Sequence, residues 1–206
     1  MFLGTSYLEW SAVIMTAICI FLAGRNNIHT WWTGIIACIL YGALFFDAKL
    51  YADVTLQAFF IATGVIGWRN WVSTTHKRTV QTAKGDVDVF DYKEPPITKA
   101  TGPAFAIYIV IACVTAIGYG FLLHSYTDAY APWIDSTVLT MSVVAQLMLM
   151  RRQVQNWPVW VLVNTLSIPL YFSRELYLSA AMYSVFWVNA LISWKHWTAL
   201  MNEQKV

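Results

Sequence analysis

The side chains with most chemistry to offer in this 206-residue chain are a few amides and aromatic rings set in apolar surroundings. The stretch "NWPVWVLVN", Asn156 to Asn164, holds two tryptophans, a proline and two asparagines. Trp157, Trp160 and Asn164 stand at i, i+3 and i+7, so on a helix they share one face. Further on, Tyr183 and Trp187 stand at i and i+4, with Asn189 rotated from them, and Gln57 is an amide deep in an earlier apolar run. Aromatic faces beside amides suit a flat ring. A cationic ring fits best, because the ring quadrupole attracts the charge while the amide orients a polar edge.

A structural reading competes with this one. Asn and Gln often tie membrane helices together with hydrogen bonds of about 1 kcal/mol. Tryptophans also collect in belts at the membrane surface. Trp68, Trp71, Trp194 and Trp197, beside basic residues, read as belt. Trp157 fits either belt or site, and Trp160, one turn deeper, fits belt less well. Asn156 and Pro158 read as helix-start chemistry, and Pro169 predicts a kink.

The missing chemistry narrows the function. There is no Walker loop, HExxH, GxSxG or CxxC. Cys19, Cys38 and Cys113 lie inside apolar runs and read as small fillers. No catalytic residue, metal ligand or cofactor is expected, and nucleic acid is not expected as a partner. Asp53 is the acid clearly within a helix, so no proton relay stands out and facilitated diffusion is the simpler mechanism. Asp86, Asp88 and Asp91 in a polar loop could hold a metal or phosphate, but a solvated connection explains them better.

The elements that would position these residues are membrane spans. The chain is 58% hydrophobic and 12% charged, against about a quarter charged in soluble domains. Apolar runs of spanning length predict helices near 8–24, 31–47, 50–72, 103–123, 135–150, 157–173 and 176–198. The fold expected is one all-α integral membrane domain over 1–206, with seven transmembrane helices and a polar cytoplasmic loop at 73–102. The N-terminal segment lacks a basic stretch and carries Glu9, which argues for a retained helix over a cleaved signal peptide. With the N-terminus outside and the C-terminus inside, eleven of the 13 basic residues fall on the cytoplasmic side, leaving Lys49 and Arg174 outside. Gln57 and Asn164 then lie roughly 10 Å deep; Asn189 and Gln146 are also deep.

A repeat is visible as well. Residues 9–71 match 135–197 without gaps at an offset of 126, with 12 identities in 63 positions. Trp31 pairs with Trp157, Arg25 with Arg151, Trp68 with Trp194 and Trp71 with Trp197. Two three-helix units joined by the helix at 103–123 predict a 3+1+3 arrangement. The number of crossings between them is even, so the repeats are parallel. Carriers built this way bind substrate near the midplane, at the repeat interface.

This pattern resembles the Pnu family of bacterial vitamin transporters. The likeness rests on "LYADVTLQAFF…GWRNW", "NWPVWVLVN" and "LYLSAAMYSVFWVNALISWKHW". It covers nearly the whole chain, with Trp157, Trp160 and Asn164 as its most specific element. One departure is Ser193, where the first repeat has Gly67. The resemblance implies a seven-helix pore like that of SWEET sugar transporters in plan, with opposite connectivity of the repeat, assembled as a homotrimer. It implies uptake of nicotinamide riboside across the bacterial inner membrane for NAD biosynthesis, without direct energy input and with trapping by cytoplasmic phosphorylation. Trp157, Trp160, Asn164, Gln57, Tyr183, Trp187 and Asn189 would line the site. Thiamine or riboflavin is the alternative cargo within the family. A sugar-type permease or a membrane protein without transport activity is the alternative outside it.

Overall fold

A computed structural model describes residues 7–47, 51–72, 76–82, 85–91, 96–126, 131–173 and 177–204. Seven helices are seen: α1 Tyr7–Gly24, α2 Thr30–Asp47, α3 Tyr51–Val72, α4 Gly102–Tyr126, α5 Pro132–Met150, α6 Asn156–Ser173 and α7 Tyr177–Glu203. Each falls on an expected span; the largest difference is at the end of α7, which runs on to Glu203. They hold 18 to 27 residues, roughly 27–40 Å at 1.5 Å per residue, close to or beyond the thickness of a hydrocarbon layer. On length and composition alone, α4 and α5 are apolar enough to cross a membrane, while α1 and α2 contain shorter apolar runs, Trp10–Gly24 and Thr30–Leu44. Large apolar side chains face outward in stripes of helical spacing, such as Ile14, Ile18 and Phe21 on α1 and Leu162 and Phe172 on α6. Outward stripes of this kind suit a lipid solvent.

The helices close into a ring. α1 packs on α2, α2 on α3, α3 on α5, α5 on α6, α6 on α7 and α7 back on α1. α4 packs on α5 from outside, pinned by a hydrogen bond from the Arg151 guanidinium to the Tyr108 hydroxyl. Exchanging α1, α2 and α3 with α5, α6 and α7 maps every contact of the ring onto another. The seams α1–α7 and α3–α5 change places.

The turns carry the same correspondence. α1 ends in a Schellman motif, with Asn26 N–H donating to Ala23 O (3.0 Å) and Asn27 N–H to Leu22 O (3.0 Å). α5 ends in the same way 126 residues on, with Arg152 N–H to Leu149 O (2.9 Å) and Gln153 N–H to Met148 O (2.9 Å). Asn26 and Arg152, the positive-φ non-glycine residues (56° and 50°), occupy the equivalent left-handed position.

The segment expected as a polar loop is more structured than a solvated connection. Strands β1 His76–Thr82 and β2 Gly85–Asp91 pair as an antiparallel hairpin. The side chains of Asp53, Asp86, Asp88 and Asp91 lie outside those described. Beyond the hairpin the chain straps across the end of the ring at which α1, α3, α5 and α7 finish and α6 begins. Thr98 N–H donates to Arg152 O, and Val154 N–H donates back to Thr98 O. Ile97 N–H donates to Gln204 Oε1 of α7's end. Ile97 is buried and joins the hydrophobic cluster beneath.

Two readings from sequence need correction. Trp71 and Trp197 do not sit in a surface belt; they are 4% and 0% exposed, inside the ring. Trp68 and Trp194, each 40% exposed, keep the outward position that a belt requires. Asn156 does not cap α6: its Nδ2 donates to Gln153 O (2.7 Å), and its buried Oδ1 accepts no bond. The turn has already engaged the backbone, with Asn156 N–H bonded to Gln153 O. Ser193 also proves compatible with close packing. It is buried against Gly24 of α1, where a Cβ would lie 2.1 Å from Ser193 Oγ, so the small residue that admits the contact is on the partner helix.

Candidate functional site

The α6 face through Trp157, Trp160 and Asn164 is turned into the ring. Trp157, at the start of α6, is buried with its ring 5.5 Å from Trp197 in an edge-on arrangement. Trp160 is half-buried and packs against both hydrophobic clusters of the protein, bridging them. Asn164 is 4% exposed, and no side-chain hydrogen bond joins its amide to another described residue. One turn further, Ser167 is fully buried, and its hydroxyl has no hydrogen-bond partner among the described residues. Its neighbour Thr165 and most other described helical Ser and Thr side chains bond back to their own backbone, Thr165 Oγ1 to Val161 O for example (2.7 Å).

The same stripe continues to Tyr171, seven residues past Asn164. Its ring lies 4.9 Å from that of Tyr183 on α7, and Tyr183 in turn contacts Phe186 at 5.8 Å. Tyr171 and Ser167 were not among the residues singled out from sequence. The signal that could have found Tyr171 is the heptad step from Asn164; a buried but unbonded serine has no sequence signal.

The remaining candidates are spread around this face. Trp187 donates its indole N–H to Thr165 Oγ1 (3.0 Å). Thr165 belongs to the exposed stripe of α6 with Leu162 and Phe172, so Trp187 leans away from Asn164. Asn189 donates to Ile20 O of α1 (3.2 Å), a tie between helices. It lines a groove of about 380 Å³ along the α1–α7 seam, otherwise walled by apolar side chains such as Phe21, Val185 and Phe186. Gln57 is half-buried on α3, packed beside Gly42 of α2. The structure therefore joins Tyr183 to the α6 stripe, and gives Trp187 and Asn189 partners elsewhere. Among the described residues, no group of three or more His, Cys, Asp or Glu side chains could hold a metal ion.

The sequence pattern that defines a family described as nicotinamide mononucleotide transporter matches residues 6–199. The chain belongs to that family. Among curated relatives, it is 26% identical to the nicotinamide riboside transporter PnuC of Escherichia coli (strain K12), covering 93% of this chain and 85% of that one. It is 24% identical to the PnuC of Neisseria mucosa, covering 95% and 73%. It is also 26% identical to the riboflavin/roseoflavin transporter RibM of Streptomyces davaonensis, covering 91% and 83%. The fold is similar to the crystal structure of a vitamin B3 transporter, PnuC, with a TM-score of 0.71 and 23% identity over 98% of this chain and 85% of that one. The chain is thus an all-helical membrane protein of a transporter family, apart from its small hairpin.

Proposed function

We propose that the protein carries nicotinamide riboside by facilitated diffusion across a bacterial inner membrane, as a multi-pass homotrimer. The observation that carries this reading is the α6 stripe. Asn164, 4% exposed and without a side-chain hydrogen bond to another described residue, lies on one face with Trp160 and Tyr171 in a chain of the nicotinamide mononucleotide transporter family. The pyridinium ring of nicotinamide riboside is flat and cationic and suits aromatic faces. Its carboxamide and ribose hydroxyls suit Asn164. Trp160, Asn164, Tyr183 and Gln57 are assigned to this central site, with Trp157 at its inner edge. Trp187 and Asn189 are assigned to its margin on α7.

The carrier is built from two parallel three-helix repeats, 9–71 and 135–197, linked by α4. The matched Schellman turns and the exchange symmetry of the ring contacts support that duplication. The excess of basic residues on one side supports an external N-terminus and an internal C-terminus.

A second cargo, riboflavin, has support from the more distant relative RibM, 26% identical over 91% of this chain. Calorimetry on the purified protein with nicotinamide riboside, thiamine and riboflavin separates the readings, followed by flux into proteoliposomes. Heat and flux with nicotinamide riboside are expected. Heat only with another vitamin moves the cargo to that vitamin, and no flux with any of them sinks the carrier reading.

A further inference from the structure

The inner end of the ring holds a second set of aromatic residues, of which the central site touches only Trp157, at its edge. Trp31 and Trp157, and Trp71 and Trp197, are two pairs at the repeat offset of 126. Their rings form one chain: Trp31 to Trp71 at 5.2 Å, Trp71 to Trp197 at 6.3 Å, Trp197 to Trp157 at 5.5 Å. All four are more than nine-tenths buried. Trp197 donates its indole N–H to Ala23 O (3.2 Å), but among the described residues the indole N–H groups of Trp31, Trp71 and Trp157 meet no acceptor. Buried donors without acceptors are costly, and three in one cluster call for a ligand that accepts.

A cation is already held there. The Arg152 guanidinium carbon stands 3.8 Å from the centroid of the Trp71 ring, and Arg152 is itself buried. Its backbone is left-handed, a conformation unfavourable for an arginine. The equivalent position in the first half is Asn26, a residue type that tolerates it. The arginine is therefore retained against its backbone preference, on one side of a pseudo-symmetric end that the Ile97–Ala100 strap covers.

We infer that this tryptophan cluster is a second, inner binding station for a cationic aromatic ring bearing hydrogen-bond acceptors, and that Arg152 occupies it until the cargo displaces it on release. The inference rests on the proposed cargo. A pyridinium ring can take the face of Trp71 that the guanidinium covers. Ribose hydroxyls and a carboxamide oxygen can accept from the indole N–H groups. Two cations cannot share one ring face, so arrival of the cargo at the inner end and departure of Arg152 are coupled.

The test is Arg152→Asn, chosen because the equivalent turn already holds asparagine in this conformation. Wild type and variant are compared in proteoliposomes with nicotinamide riboside and with its uncharged dihydro form, alongside melting temperature and calorimetric Kd. Removing the competing cation should raise release of nicotinamide riboside about threefold, a cation–π contribution read as a rate, with the central Kd changed less than about twofold. The gain should be smaller for the dihydro form and should vanish when Trp71→Leu is added. Unchanged or slower release at an unchanged melting temperature overturns the station, as does an equal gain for charged and uncharged forms. If Arg152→Asn does not fold, Arg152→Lys serves: a smaller gain is expected, and none overturns the inference. Carriage of nicotinamide riboside without any gain in the variant sinks the station and keeps the cargo. Carriage of thiamine instead, with the gain present, does the reverse.

Discussion

Replacing Asn164 with leucine separates a binding amide from a packing amide by the sign of the stability change. Leucine has the same number of side-chain heavy atoms as asparagine, branched at the same carbon, and brings no polar group. Asn164 is 4% exposed, and its amide makes no side-chain bond to another described residue. If the amide waits for a substrate, Asn164→Leu removes a largely buried dipole that no side chain satisfies and should stabilise the empty protein, by at most about 1–3 kcal/mol. The same change should weaken substrate binding. An amide can give one hydrogen bond and accept another, each worth about 1–1.5 kcal/mol, so Kd should rise roughly 30- to 150-fold. The assay pairs thermal unfolding in detergent with calorimetric titration of nicotinamide riboside. A less stable variant would return Asn164 to the class of interhelical ties. An unchanged Kd would remove it from the site altogether.

Two further predictions concern the frame around the site. Gly24→Ala places a Cβ 2.1 Å from Ser193 Oγ and 3.2 Å from its Cβ, and should cost about 1–3 kcal/mol by forcing the α1–α7 seam apart. Ser193→Gly in the same chain removes both contacts and should recover most of that loss, because the next neighbour, Asn189 Nδ2, is 3.5 Å away; a double-mutant cycle with no coupling would refute this. Trp71→Ala should cost about 3–5 kcal/mol by opening a cavity in the inner cluster, whereas Trp68→Ala should cost less than about 1 kcal/mol. Equal losses in unfolding measurements would restore both tryptophans to one class.

Much of this architecture was legible because bilayer thickness sets the length of an apolar run. The helix limits, the repeat of Trp31 with Trp157 and Trp71 with Trp197, and the shared face of Trp157, Trp160 and Asn164 are all readable as spacings. The left-handed ends of α1 and α5 were not. No glycine marks them, and an arginine at 152 gives no hint of that backbone. The hairpin and the Ile97 strap were hidden in the same way, since a charged loop resembles a solvated one until a partner surface is known. At Trp187 and Asn189 the types suited a site, but neighbours on α6 and α1 took up their donors.

The sequence by itself determined that seven apolar helices run through this chain, about where each begins, and which residues of 9–71 recur in 135–197. Only the tertiary structure decided which side of each helix faces the ring. In a soluble protein the polar face of a helix reveals its orientation, but here lipid and protein interior are both apolar. Trp68 and Trp71 lie three residues apart in the same kind of surroundings. One meets the outside and the other is sealed within the tryptophan cluster because the rings of Trp31 from α2 and Trp197 from α7 close over that side of α3's last turn.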